Sequence, residues 1–172
     1  LFTNSKNDRS IQKDQEALHD LISEKLNQLR SLLDGVYLIN ELSPKTKDKL
    51  LSFGEALSST IIYHTLKSRK LDATLKNSQE LIVTDLNYNN AMVNFKITNT
   101  NIDSFFKSDM HSIVLLPGFV SKSLSGEITT LGRGGSDYSA ALIAEATQAD
   151  VLEIWTDVAG IASTDPRICP DA

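Results

Sequence analysis

Two long helical patterns alternate with several short apolar segments, and this alternation limits the possible folds more than any other feature of the sequence. Within residues 10–33, apolar side chains recur at spacings of three and four, as on one face of an amphipathic helix. A second helix is predicted to start at Ser43 and Pro44, a capping residue followed by proline in the first turn, and to run to about Arg69. The first third of the chain is therefore predicted to be helical.

The short apolar segments are predicted to be strands. They are apolar or β-branched in large part, are bounded by polar, glycine or proline residues, and cover residues 81–84, 91–97, 112–116 and 151–156. A polar hairpin-like segment follows at 121–130, and residues 98–109 are predicted to form a surface loop or a short helix. Alternation of helices and strands favours an α/β layered fold with a partly parallel sheet.

Composition narrows the classes of function. With 172 residues, 41% of them hydrophobic, the chain can bury one sizeable core and is predicted to be one domain or a large part of one. The net charge of -5 argues against nucleic-acid binding, which requires clustered Lys and Arg. No apolar run approaches the roughly 20 residues that span a bilayer, so we expect no membrane partner and a cytoplasmic location. A single cysteine, Cys169, and scattered histidines predict no metal site.

A glycine-rich turn directly before a predicted helix at about 137–148 is the most informative motif. The turn and the helix start comprise Gly132, Arg133, Gly134, Gly135, Ser136 and Asp137, with Ser136 as the predicted cap. Unpaired N–H groups at a helix N-terminus favour an anion, and glycines allow its close approach. Arg133 suits a carboxylate or phosphate, while Asp137 could stabilise the helix or hold an ammonium group. The pattern fits an amino-acid ligand, and it equally fits a plain glycine-rich connection.

Glu55 is a candidate on the second helix. It shares a helical face with Leu51, Ser58 and Ile62, so its carboxylate is predicted to lie at the edge of the core or in a cleft. Gly54 beside it lowers helix propensity by roughly 1 kcal/mol relative to alanine, which is easier to understand if something must approach closely. A structural role and a ligand contact both remain open for Glu55.

The C-terminal part offers three more candidates. Thr156 and Asp157 lie at the carboxyl end of the predicted strand 151–156, where ligands bind in open α/β sheets. Arg167 follows in an Asp-Pro-Arg turn and is a second candidate phosphate-binding arginine. Each of these residues is also compatible with a turn or surface role.

Taken together, four ordered segments resemble the motifs of aspartate kinases in the amino-acid kinase superfamily. These segments are SFGE at 52–55, LGRGGSDY at 131–138, EIWTDV at 153–158 and TDPR at 164–167. The resemblance implies a three-layer α-β-α sandwich with a mostly parallel sheet, with residues 1–172 forming part of the kinase domain, incomplete at both ends. It also implies ATP-dependent phosphorylation of the β-carboxylate of L-aspartate, in lysine, threonine and methionine biosynthesis. Mg²⁺ as cofactor and a homo-oligomeric full-length protein are further implications.

The resemblance also assigns roles to residues. Arg133 would bind the α-carboxylate of the substrate, and Glu55 and Asp137 would engage its ammonium group. Gly134, Gly135 and Ser136 would complete the substrate-binding turn. Thr156, Asp157 and Arg167 would contact the nucleotide.

Departures from the family pattern leave alternatives open. The Lys-Phe-Gly-Gly motif that handles the transferred phosphoryl group in these kinases does not occur in the sequence, and Ala162 stands where a tyrosine commonly helps to hold the nucleotide. We therefore expect an internal fragment that is inactive alone, because phosphoryl transfer depends on such cations. The alternatives are a kinase for another amino acid or a nucleoside monophosphate, and a non-catalytic amino-acid-binding or assembly module.

Overall fold

The computed structural model describes residues 4–156, 164, 168 and 169. Within them, the helices are α1 (Asn4–Ile39), α2 (Pro44–Ser68), α3 (Phe95–Ser108) and α4 (Gly135–Thr147), with a one-turn 3-10 helix at Ser78–Glu80. The strands are β1 (Ala73–Leu75), β2 (Val83–Thr84), β3 (Ile113–Leu115), β4 (Val120–Ser123) and β5 (Ile128–Thr130).

The strands form two small sheets. β1 pairs with β3 in parallel, and the second sheet has the order β2-β4-β5. In that sheet β2 and β4 are parallel, while β4 and β5 form an antiparallel hairpin with Val120 opposite Thr130. The α/β class with mostly parallel pairing is thus confirmed.

Several predicted elements are confirmed. Helix α2 starts at Pro44, and the hydroxyl of its N-cap Ser43 accepts the Thr46 N–H at 3.1 Å. β3 falls within the predicted strand 112–116, and the β4–β5 hairpin begins at Val120, one residue before the predicted segment 121–130. The first helix is longer than the predicted range 10–33 and extends from Asn4 to Ile39.

Two predicted strands are wrong. Residues 91–97 contribute only an isolated bridge between Val93 and Thr84, and Asn94 then caps α3 with its side chain. For 98–109 the structure selects the helix from the two predicted alternatives, a surface loop or a short helix, and this helix buries Thr98 and Ile102 on one face. Residues 151–156 are exposed and unpaired within the described part of the chain, so their β-branched pattern does not produce a strand there. β1 was not predicted from the sequence.

The core lies directly beneath the glycine-rich turn. Its buried cluster consists of Leu81, Ile82, Ile102, Leu131 and Leu142. Leu131 immediately precedes the turn and Leu142 lies on α4. Burial of these two side chains fixes both ends of the segment that carries Arg133, since each large apolar side chain contributes roughly 1.5–3 kcal/mol when removed from water.

None of the described helices combines the length and the apolar character required to cross a bilayer.

Candidate functional site

The glycine-rich turn adopts a backbone conformation that favours glycine. Gly132 and Gly134 have φ of 78° and 72°, in the left-handed region that side chains with a β-carbon rarely adopt. Gly132 also lies against a neighbouring turn, because a β-carbon there would come 2.7 Å from Asn90 Oδ1 and 3.0 Å from the Asn89 carbonyl oxygen. The sequence therefore requires glycine here for both conformation and space.

Helix α4 begins at Gly135, two residues earlier than predicted, and is capped differently. Gly134 is the N-cap, whereas Ser136 lies in the first turn, which corrects the prediction that Ser136 caps the helix. The Gly135 N–H donates to the Gly132 carbonyl at 3.0 Å and closes the turn before Ser136 is reached. Within the described residues, no side chain caps α4 and no acceptor bonds the N–H of Ser136 or Asp137. These two donors are available to an anion.

A second loop packs tightly against the start of α4. A β-carbon on Gly135 would lie 2.9 Å from the Phe119 ring, and the Phe119 N–H donates to the Ser139 hydroxyl at 2.9 Å. That hydroxyl in turn donates to the Gly135 carbonyl at 2.7 Å. Phe119 itself has a left-handed backbone, with φ of 68°, which is strained for an aromatic residue. Strain of this kind persists where the surroundings fix it, as at binding sites.

Arg133 and Asp137 are both exposed beside these free N–H groups. Neither side chain forms an ion pair within the part of the chain that the structure describes. The mouth of α4 thus presents a cation, a carboxylate and two backbone donors, groups that could bind the two charges of an amino acid.

Glu55 lies in a different part of the site. It is half-buried and lines a cavity of about 450 Å³ together with Ser52 and Ser59 of α2 and Lys76 after β1. The predicted face is wrong in part, because Leu51, Ser58 and Ile62 are exposed while Ser52 and Ser59 point inward.

The inward face of α2 was missed by the sequence analysis, although a signal for it exists. Small polar or acidic residues recur at spacings of three and four through Asp48, Ser52, Glu55 and Ser59. Gly54 is exposed, and a β-carbon there would meet nothing within 4 Å in the described structure, so close approach does not explain it.

A second cavity lies between the cavity of Glu55 and the start of α4, although Arg133 and Asp137 line neither of the two. This cavity of about 510 Å³ is mostly apolar and is lined by Gly118, Ser136 and Ser139. Ser78 and Pro117 contribute to the linings of both cavities, so the two adjoin. Within the described residues, no hydrogen bond or ion pair joins Glu55 directly to Arg133 or Asp137. A ligand would have to bridge them.

The predicted nucleotide residues are described only in part. Thr156 is exposed and does not end a strand, which corrects the argument that placed it at a strand terminus. Asp157 and Arg167 lie outside the described residues.

The comparison with protein families decides the family of the chain. A profile with the description "Amino acid kinase family" matches residues 6–172. The chain belongs to the amino acid kinase family. Within this family, the chain is 38% identical to an aspartokinase of Rickettsia prowazekii over 148 residues, which cover 85% of the chain and 32% of that protein. It is 31% identical to a bifunctional aspartokinase/homoserine dehydrogenase of Buchnera aphidicola, over 90% of the chain and 19% of that protein.

A solved structure supports the same family fold. Aspartokinase III of E. coli, crystallised in complex with aspartate and ADP, matches with a TM-score of 0.78 and 32% identity. The match covers 87% of this chain and 33% of that one. The chain therefore spans about a third or less of the relatives that it matches, and it has the α/β fold of that part of an amino acid kinase.

Proposed function

We propose that this chain forms the amino-acid-binding part of an aspartate kinase, which transfers the γ-phosphoryl group of ATP to the β-carboxylate of L-aspartate. The observation that carries this proposal is the mouth of α4, where two backbone N–H groups without partners in the described structure lie beside Arg133 and Asp137. The similarity to aspartokinases, one of them solved with aspartate and ADP, supports the same substrate. The product, aspartyl phosphate, would enter lysine, threonine and methionine biosynthesis.

The amino acid would be recognised through both of its charges. Arg133 offers a planar fork of donors to the α-carboxylate, and the N–H groups at Ser136 and Asp137 favour the same anion. The carboxylates of Glu55 and Asp137 would hold the ammonium group. Gly134 is exposed and permits the backbone to approach the substrate, because it carries no side chain that would intervene. Gly135 would contribute indirectly, because its packing against Phe119 positions the start of α4 and its N–H donors.

The nucleotide would contact Thr156, Asp157 and Arg167. This assignment rests on the motif resemblance and on the ADP that the related E. coli enzyme binds. Among the described residues, no group of three or more His, Cys, Asp or Glu side chains could hold a metal ion. Mg²⁺ in phosphoryl-transfer sites is bound largely through substrate phosphates and water, so we assign no residue of this chain to it.

A hydroxylamine trap tests this function. The full-length gene product is incubated with ATP, Mg²⁺ and L-aspartate, and aspartyl hydroxamate is measured. We expect hydroxamate that depends on both substrates, and none when L-glutamate replaces L-aspartate. Hydroxamate from L-glutamate alone would instead identify a kinase for another amino acid.

Calorimetry separates the catalytic function from a binding function. If the full-length gene product binds L-aspartate but forms no hydroxamate at saturating ATP, it is a non-catalytic amino-acid-binding module. If it neither binds L-aspartate nor forms hydroxamate, the proposed function is wrong.

A further inference from the structure

Asp48 is a fully buried carboxylate on the first turns of α2, with no exposed surface. Within the described residues, no lysine, arginine or histidine forms an ion pair with it. An unpaired buried charge is costly, so its hydrogen-bond partners must stabilise it. Those partners come from two segments far away in the sequence.

Three donors converge on this carboxylate. The Thr130 hydroxyl donates to one oxygen at 2.7 Å, and the Thr130 N–H donates to the other at 3.0 Å. The Asn89 N–H is shared between both oxygens, at 3.1 and 2.9 Å. Hydrogen bonds to an ionised acceptor are among the stronger ones in proteins. Asp48 therefore ties α2 to the end of β5 and to the turn at Asn89.

Both anchor points are in direct contact with the glycine-rich turn. Thr130 is the last residue of β5 and lies three positions before Arg133. Asn89 and Asn90 form the surface on which Gly132 rests. The Ala91 N–H also donates to the Thr130 carbonyl at 2.9 Å, which joins the two anchored segments to each other.

The conformation of Asn89 depends on the same contact. Its backbone is left-handed, with φ of 65°, a conformation that asparagine tolerates but that costs free energy unless neighbours fix it. Its bond to Asp48 holds the N–H in place while the adjacent carbonyl faces Gly132. Without the Asp48 carboxylate, two segments would lose a bond that fixes them. These are the turn at Asn89, which lies against Gly132, and strand β5, which leads into the glycine-rich turn.

We infer that Asp48 is a positioning residue, which holds the Gly132-Arg133-Gly134 turn in the geometry that recognises the substrate carboxylate. This inference rests on the proposed function for its substrate and on the contacts of Asp48 for its mechanism. The charged carboxylate matters because it accepts from three donors at once. An amide of the same shape would replace one acceptor with a donor that faces N–H groups.

The test compares Asp48→Asn with a matched variant, Thr98→Val. Thr98 is also fully buried and is bonded through its hydroxyl to the backbone of Val83, and among the described residues it forms no hydrogen bond with the turn. Both variants lose buried hydrogen bonds, so Thr98→Val controls for a general loss of stability in Asp48→Asn. Thr130→Val removes only the hydroxyl donor and is expected to have an intermediate effect.

Two readouts are taken on the full-length gene product. Hydrogen exchange of a peptide covering residues 131–137 is expected to be about tenfold faster in Asp48→Asn and unchanged in Thr98→Val, since local opening sets the exchange rate. The KM for L-aspartate is expected to rise about tenfold in Asp48→Asn while the KM for ATP stays within about twofold, because small displacements of a binding group have large effects.

The outcomes separate this inference from the proposed function. Unchanged exchange at 131–137 in Asp48→Asn overturns the inference, whatever the kinetics. Faster exchange with an unchanged aspartate KM also overturns it, provided that Arg133→Ala raises that KM. If Arg133→Ala leaves the aspartate KM unchanged, the proposed substrate site itself is wrong and the role of Asp48 in recognition falls with it.

Discussion

Gly118 and Ser136 meet backbone to backbone, because a β-carbon on Gly118 would lie 2.8 Å from the Cα of Ser136. Gly118 does not have a positive φ, so its conformation alone does not require glycine. The requirement is space. This contact sets how closely the 117–119 loop approaches the open N-terminus of α4.

Gly118→Ala is therefore expected to destabilise the protein by about 1–3 kcal/mol, since two backbones must separate to admit the methyl group. We also expect weaker L-aspartate binding, because the separation moves the N–H groups of α4. Urea denaturation measures the free energy of unfolding and calorimetry the affinity. Gly54→Ala is the matched control, because a β-carbon there meets nothing within 4 Å. Gly54 lies in the middle of α2, so alanine should stabilise the protein by roughly 0.5–1 kcal/mol. Equal effects of the two substitutions would contradict the packing argument.

The sequence predicted those elements whose signals are local. Ser43 and Pro44 identify the start of α2 because capping and proline geometry act within one turn. Gly132 and Gly134 predicted a turn before α4 for the same reason, and the structure gives both a left-handed backbone.

Features that depend on distant contacts were not predictable from the sequence. In the sequence, nothing distinguishes Asp48 from other charged residues near a helix start, and its partners Asn89 and Thr130 are 41 and 82 positions away. For 98–109 the sequence left a surface loop and a short helix open, because the burial of Thr98, whose hydroxyl bonds the backbone of Val83, depends on a distant segment. Residues 151–156 have a strand-like pattern but form no strand, because a strand must pair with a neighbour and no described strand pairs with them.

The pH dependence of stability is expected to include a contribution from Asp72. Its carboxylate accepts the Ser112 N–H at 2.8 Å and the Ser112 hydroxyl at 3.1 Å, at the point where β1 and β3 begin to pair. These bonds, with the backbone N–H first, hold the pKa of Asp72 below its ordinary value of 3.8. A lowered pKa in the folded state stabilises the protein above pH 3.8, and this contribution is lost as the pH falls through the folded-state pKa.

Asp72→Asn tests this contribution. The difference in free energy of unfolding between the wild type and Asp72→Asn should be constant above about pH 5 and should shrink below the ordinary carboxyl pKa. Denaturation curves at a series of pH values measure it. A difference that does not change with pH would show that the carboxylate charge of Asp72 contributes nothing.

Glu55→Gln should reduce discrimination in favour of an ammonium group. L-Aspartate and succinate differ only in that group, so the ratio of their kcat/KM values reports on what holds it. We expect this ratio to fall about tenfold in Glu55→Gln, mainly because the kcat/KM for L-aspartate decreases. Glu80→Gln is the control, because Glu80 lines the same cavity but is already paired with Lys76. A ratio that changes in Glu80→Gln and not in Glu55→Gln would place the ammonium group elsewhere in this cavity.

Arg133 provides the most direct test of the glycine-rich turn, through substitution by both alanine and lysine. The side chain is exposed, and exposed ion pairs contribute only about 0–1 kcal/mol. A substrate carboxylate seated on the N–H groups of Ser136 and Asp137 would exclude water from Arg133, and truncation would then cost roughly 2–5 kcal/mol. Arg133→Ala should thus raise the KM for L-aspartate by about 30-fold or more and leave that for ATP nearly unchanged.

Arg133→Lys separates the charge of this residue from its shape. Lysine keeps the positive charge but lacks the fork that meets two carboxylate oxygens in parallel, so we expect an aspartate KM between those of the wild type and Arg133→Ala. Arg167→Ala is the contrasting variant, with an effect expected on ATP. Steady-state kinetics with each substrate varied in turn distinguish the two arginines. If Arg133→Ala shifts the dependence on ATP and leaves that on L-aspartate unchanged, the turn binds the nucleotide, and the assignment of the amino acid to the mouth of α4 must be withdrawn.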